Sequence, residues 1–253
     1  MREGKSKKEA SDTNGWSGGA HAARYDVEVN RAFYRVTLAH LLEGVPTLAG
    51  RGLDLGCGTG FSIEALLKAA PNVTWSGVDC SRDMLDLARR KLVLRKGDLI
   101  EARAEALPFP DASFDVVVAN FSWHWFGQAV GQEVRRVLRP AGWLLATLPL
   151  RRFSSALGNR ALAHVLLADR RHYARRTSQG YRFEEVPNLM PGRVARHELV
   201  VVRERFADSQ VLREVLESRG ALAAIFGDQP LIKIEAPSPV DFEWPFAVLH
   251  KQV

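Results

Sequence analysis

The residues best placed to do chemistry are three glycines at alternate positions, in Asp54-Leu-Gly56-Cys57-Gly58-Thr-Gly60, and a second acid, Asp79, nineteen residues beyond the last of them. A short apolar run precedes the glycines and helical spacing follows them, the pattern of a strand–loop–helix turn. Glycines there let the backbone turn sharply and approach a ligand closely, with helix N–H groups directed at it. A carboxylate at the end of the next strand can accept both hydroxyls of a ribose. Spacing separates the possible ligands. A dinucleotide fingerprint has two residues before its third glycine, and a phosphate-binding loop continues into Lys-Ser/Thr; neither is present. The loop therefore suits a nucleoside without phosphate, and Asp54 offers a carboxylate to an ammonium group on it.

A second cluster is Asn120-Phe-Ser-Trp123-His124-Trp125-Phe126, four aromatic rings and a histidine in seven residues. It follows a strand, at the carboxyl edge where open α/β sheets bind ligands. Ring faces attract cations, so the segment reads as a pocket wall, with at least one ring packing under the next helix. His124 is a candidate base or substrate-orienting group. No hydrolytic triad, paired-carboxylate site or metal-ligand spacing stands out. The two cysteines, Cys57 and Cys80, make neither a disulfide framework nor a metal signature, and point to a reducing, cytoplasmic setting.

These groups need a scaffold, and the chain alternates short apolar runs with helical segments, as a parallel sheet with crossover helices does. Strands are expected at Gly52–Leu55, Val73–Val78, Ile100–Arg103, Phe114–Ala119, Trp143–Leu148 and His197–Arg203. Helices are expected at Tyr25–Leu42, Phe61–Ala70, Arg82–Lys91 (capped by Ser81), Gln128–Leu138 and Ser209–Arg219. Leu231–Ile234 and Phe242–Leu249 read as a terminal antiparallel hairpin. The organisation expected is a disordered tail over 1–20, an α/β core with its N-terminal helix over 21–150, an Arg-rich helical lid insertion over 151–195 and the rest of the core over 196–253.

The 253 residues are 46% hydrophobic and 25% charged, ordinary for a soluble globular chain. No apolar run has the ~20 residues of a membrane helix, and Met1–Gly15 lacks the apolar core of a secretory signal. Net charge is +6. Residues 151–182 hold eight arginines against one acid, Asp169, which suits an acidic partner or a solvated face. Nucleic acid fits poorly, because the aromatics gather in one loop instead of interleaving along a basic stripe.

Four segments together resemble successive motifs of class I S-adenosylmethionine (SAM)-dependent methyltransferases, methyltransferase type 11 group. They are Asp54–Gly60, Gly77-Val-Asp79-Cys80-Ser-Arg-Asp-Met84-Leu85, Glu105-Ala-Leu-Pro-Phe-Pro-Asp-Ala-Ser-Phe-Asp115 and Arg136-Val-Leu-Arg-Pro-Ala141-Gly142. The resemblance implies a Rossmann-like class I methyltransferase fold: a mostly parallel seven-stranded sheet with a terminal antiparallel hairpin. It implies SAM as cofactor, with Gly56, Gly58 and Gly60 around the methionine part and Asp79 on the ribose. Ala104 and Glu105 would lie beside adenine, and Asp54, Cys57, Cys80, Met84 and Asn120 would also line the cofactor site. Two departures stand out: Arg103 replaces an acid that many relatives use for the adenine amino group, and Ala141 replaces a glycine.

Three looser stretches, Asn120…His124-Trp125, Ala22-Ala-Arg-Tyr25-Asp26 and Phe206 to Gly220 with Trp244–Leu249, are similar to carboxyl methyltransferases. Those are the trans-aconitate methyltransferases and the malonyl-carrier-protein O-methyltransferases of biotin synthesis. This likeness implies Tyr25 and His124 in the catalytic site, and Trp123, Trp125 and Arg182 on the substrate. The acceptor would be a malonyl-type acyl group on an acidic carrier protein. The alternative is O-, N- or C-methylation of a small secondary metabolite.

Overall fold

The computed structural model of the chain describes residues 19–91, 98–150, 181–219 and 239–253. Most of the expected tail, the Arg-rich stretch from 151 to 180 and Leu231–Ile234 lie outside the described residues. At the centre is β1 (Gly50–Leu55), flanked in parallel by β2 (Val73–Asp79) and β4 (Phe114–Asn120). Beyond β2 lies β3 (Leu99–Glu101), and beyond β4 lies β5 (Leu138–Pro149), both parallel. Strands buried on both faces need helical cover on both sides. One face of the sheet supplies Leu53, Leu55, Val117 and Ala146 to a core closed by α5 (Val130–Val137). The opposite face packs Val116, Val118 and Leu145 against α2 (Glu28–Leu42) and α3 (Phe61–Ala69).

The sheet order is β3-β2-β1-β4-β5-β7-β6. Because the chain leaves β1 towards β2 and later returns to its other side as β4, the carboxyl ends of β1 and β4 flank the crevice of a topological switch point. β7 (Val240–Gln252) runs antiparallel between β5 and β6 (Arg193–Phe206). The terminal part of the sheet is antiparallel, as expected, and the expected strand Phe242–Leu249 lies within β7. Leu231–Ile234, the other strand expected there, lies outside the described residues.

Two local features depart from expectation. The expected N-terminal helix begins at Glu28, as α2, and a separate helix, α1 (Gly19–Tyr25), precedes it across a break. At the break the Asp26 carboxylate accepts from Lys91 Nζ at 2.7 Å, Arg31 at 3.3 Å and the Thr59 hydroxyl at 3.4 Å. Lys91 ends α4 (Arg82–Lys91), so this junction straps α1 to the glycine loop. At the other edge Ala141 adopts φ 65°, while its N–H bonds Val253 O at 2.7 Å. An L-residue there carries strain that glycine lacks. Ala141→Gly is expected to raise stability by about 1 kcal/mol, read as a melting shift of roughly 2–4 °C. Among the described residues a further helix, α6 (Ser209–Ser218), is capped by Asp208, whose Oδ1 accepts the N–H groups of Gln210 and Val211.

Candidate functional site

Gly56 and Gly58 both take left-handed backbone, φ 75° and 53°, but for different reasons. A Cβ on Gly56 would meet Ser122 Cβ at 2.6 Å, so its bareness admits the segment after β4. A Cβ on Gly58 would find nothing nearer than the Tyr25 ring at 3.8 Å. Space beside the loop is thus kept at Gly58, whereas at Gly56 it is filled by protein. Gly60 opens α3 at φ 87°.

Two carboxylates arrive at the ends of β1 and β2. Asp54 is 1% exposed and its Oδ2 has no hydrogen-bond partner. Burial, and then the neighbouring Asp79, push its carboxyl up to about 8. Such a group is costly as a bare anion and becomes favourable beside a cation. Asp79 is better satisfied: Oδ2 accepts the Gly58 N–H at 2.9 Å and Oδ1 the Ser81 N–H at 2.8 Å. Burial raises its carboxyl, and these backbone donors oppose the rise. The carboxylate, with the Cys80 N–H as a third backbone donor, keeps acceptor capacity for a hydroxyl.

Other residues expected at the cofactor take varied places. Cys57 is buried beneath the loop with Ile63, Leu85 and Leu99, so only its main chain faces the loop surface. Cys80 is exposed immediately after Asp79. Met84 is buried, with its N–H on the Ser81 hydroxyl at 3.4 Å. Ala104 is buried in the core beside the end of β3. Glu105 accepts the Gly127 N–H and pairs with Arg103 at 3.5 Å, tying the β3 loop to the aromatic segment. The side chain of Asn120 is saturated: it accepts from Thr37 and Thr147 and donates to Tyr34 O and Ser62. That makes it a joint between β4, β5, α2 and α3, with its amide already spent on protein.

The aromatic segment divides in the same way. Trp123 is 4% exposed and belongs to the core with Val130 and Val134, which makes it the ring packed under the following helix. Trp125 is 38% exposed, its ring 4.7 Å from that of His124. Burial drives the His124 imidazole down to about 4, and its Nδ1 is enclosed without a partner. Tyr25 lies between Phe61 and Tyr34, at centroid distances of 5.5 and 5.7 Å, and burial raises its phenol well above the ordinary value. Arg182 is exposed next to the bridge between Leu150 and Tyr181, at the carboxyl edge of β5, two strands from β1. Sequence reasoning gave no site role to Tyr34, Asp26, Lys91 or Arg219. The Tyr34 position is legible in the α2 periodicity, whereas the others gain meaning only from partners far along the chain.

Comparison with known proteins agrees with this geometry. Residues 53–146 match the family described as "Methyltransferase domain". A fatty-acid O-methyltransferase of Mycolicibacterium smegmatis is 33% identical over 143 residues, 55% of this chain and 52% of that protein. A malonyl-[acyl-carrier protein] O-methyltransferase of Legionella pneumophila is 39% identical over 100 residues, 38% of this chain and 35% of that one. The chain therefore spans about half or less of the length of these curated relatives. In fold, a SAM-dependent methyltransferase from Aquifex aeolicus superposes with TM-score 0.56 at 14% identity, covering 93% of this chain and 99% of its own. The stretch from Leu53 to Ala146, with its glycine loop, Asp79 and aromatic segment, thus matches a methyltransferase domain and lies on a Rossmann-like sheet.

Proposed function

We propose that the chain is a SAM-dependent methyltransferase whose acceptor is a carboxylate oxygen, on a malonyl-type thioester carried by an acyl carrier protein. The observation that supports the cofactor is the buried, unpartnered Asp54 oxygen beneath a loop whose open side is at Gly58. A ligand carrying an ammonium group would satisfy that oxygen, and ribose hydroxyls would donate to the Asp79 carboxylate. Bound SAM supplies an electrophilic methyl group on a positively charged sulfur. Tyr25, protonated at neutral pH, covers the Gly58 side with its ring and excludes water.

Support for a carboxylate acceptor comes from what the site lacks among its described residues. A base suited to neutral pH has a pKa near 7, while His124 sits at about 4 and the Tyr25 phenol is raised. A carboxylate acceptor, already ionised above ~4, needs no base. The work then reduces to placement and desolvation, with Trp125 as the exposed ring beside the acceptor and Arg182 as a fork for a second carboxyl group. Two partial relatives are named for O-methylation, of a fatty acid and of a malonyl carrier protein. No helix among the described residues is long and apolar enough to cross a membrane.

Incubating the protein with SAM and malonyl-carrier protein should add one methyl mass to the carrier. An unchanged carrier, alongside transfer to a free fatty acid or a small phenolic acceptor, would overturn the carrier assignment and favour the small-molecule alternative. A demethylmenaquinone methyltransferase of Thermus thermophilus, 42% identical over 100 residues, keeps that second reading in play. In either case His124→Ala is expected to lower kcat by less than about tenfold. The wild-type pH–rate profile should show no inflection between pH 5.5 and 7.5 that His124→Ala removes; loss of a step near 6.5 would make His124 a base.

A further inference from the structure

Arg219, the residue after α6, is 7% exposed and held on every side. Its guanidinium lies 4.2 Å from the centre of the Phe33 ring and 4.8 Å from that of Trp244. It donates to both oxygens of Glu204 on β6, to Val29 O at 3.2 Å and, through Nε, to Asn30 Oδ1 at 2.9 Å. Asn30 is fully buried near the start of α2. Its amide Nδ2 donates onward to Tyr25 O at 2.8 Å and to the Ser218 hydroxyl at 3.0 Å. A continuous polar chain thus runs from Glu204 through Arg219 and Asn30 to the main chain of Tyr25, the residue that caps the space at Gly58. One step further, Asp26 grips Thr59 of the glycine loop and Lys91 of α4.

We propose that Glu204, Arg219 and Asn30 are positioning residues that hold the α1–α2 junction closed over the cofactor loop, so that the C-terminal β6–α6 unit sets how tightly the nucleoside is retained. The junction is short and has two anchors, Asp26 on the loop side and Asn30 on the C-terminal side. Arginine is suited to this place: the planar fork pairs bidentately with Glu204 while its faces stack on two rings, and lysine can do neither together with the Asn30 bond. Charge-assisted bonds in a buried site are among the stronger ones available, and removing one partner strands the rest. The consequence for retention rests on the SAM reading given above; the mechanical part does not.

The test is hydrogen–deuterium exchange on the full chain, with S-adenosylhomocysteine titrated calorimetrically in parallel, for wild type, Arg219→Lys and Asn30→Ala. Amides of residues 22–31 are expected to exchange about tenfold or more faster in both variants, while those of β4 keep their wild-type rates; the affinity falls about tenfold as a faster off-rate. Local exchange confined to the junction separates positioning from general destabilisation, which would speed β4 as well. If Arg219→Lys fails to fold, Asn30→Ala, which keeps the Arg219–Glu204 pair, carries the test. Unchanged exchange and unchanged affinity in a folded variant would overturn the proposal. Faster exchange in a protein that binds no S-adenosylhomocysteine even as wild type would instead leave the clamp standing and remove the cofactor reading.

Discussion

Asp54→Asn weakens SAM binding by about 100-fold or more and, at pH 8, makes the ligand-free protein melt at a higher temperature. Both effects come from one carboxylate that is buried, unpartnered and pushed up to about 8. In the unfolded chain the same group titrates near ~4. Between those values the folded protein holds a proton that the unfolded chain has lost. Stability of the ligand-free form therefore falls as pH rises from about 4 to about 8, and levels off above. The full displacement is worth on the order of 5 kcal/mol, an upper bound on what the neutral amide can recover. Binding of a cationic ligand runs the other way. The affinity of the wild type should rise with pH until Asp54 is ionised, and in Asp54→Asn it should be flat. Calorimetric titration and thermal melts from pH 5 to 9 read both slopes. A variant that bound as well as wild type would remove the ammonium contact from the site.

Replacing Asp79 with alanine should cost about as much, again ~100-fold in affinity, because two functions are lost together. The ribose hydroxyls lose their acceptor, and the Gly58 and Ser81 N–H groups lose the bonds that shape the loop. Asp79→Asn keeps one carbonyl oxygen and should fall between. Since Asp79 is one of the charges that raise Asp54, either substitution should also move the pH dependence of the remaining binding to lower pH. Observing that displacement by calorimetry would show that the two acids act on one another; its absence would separate them.

The parts of the molecule that could be read ahead of the structure are those fixed by neighbours in sequence. The glycine loop, Ser81 as a cap, and strands buried on both faces leave local patterns, and β1, β2 and β4 fall within a residue or two of expectation. Elsewhere the determinants are distant. The break between α1 and α2 depends on Asp26 meeting Lys91, 65 residues away. β6 is longer than its apolar run because it is the outer strand among the described residues and carries charges tied across the ladder to β7, such as Arg203 to Glu243 and Arg205 to Asp241. Asn120 and Trp123 carried a correct positional signal, the carboxyl edge of β4. Nothing local told the amide and the ring engaged with protein from the exposed Trp125. Arg219 was invisible for the same reason, its partner Asn30 being 189 residues away.

The interior place of β7 bears on how the protein is made. On the ribosome, β1 to β5 emerge first and can assemble the nucleoside-binding half while the remainder is still being translated. β6 emerges next, and its ladder partner among the described residues is β7, the strand that belongs between it and β5 and leaves the exit tunnel later. For that interval the nascent chain exposes the open side of β5 and a long unpaired ribbon, the kind of surface that chaperones shield and that sticks to other chains.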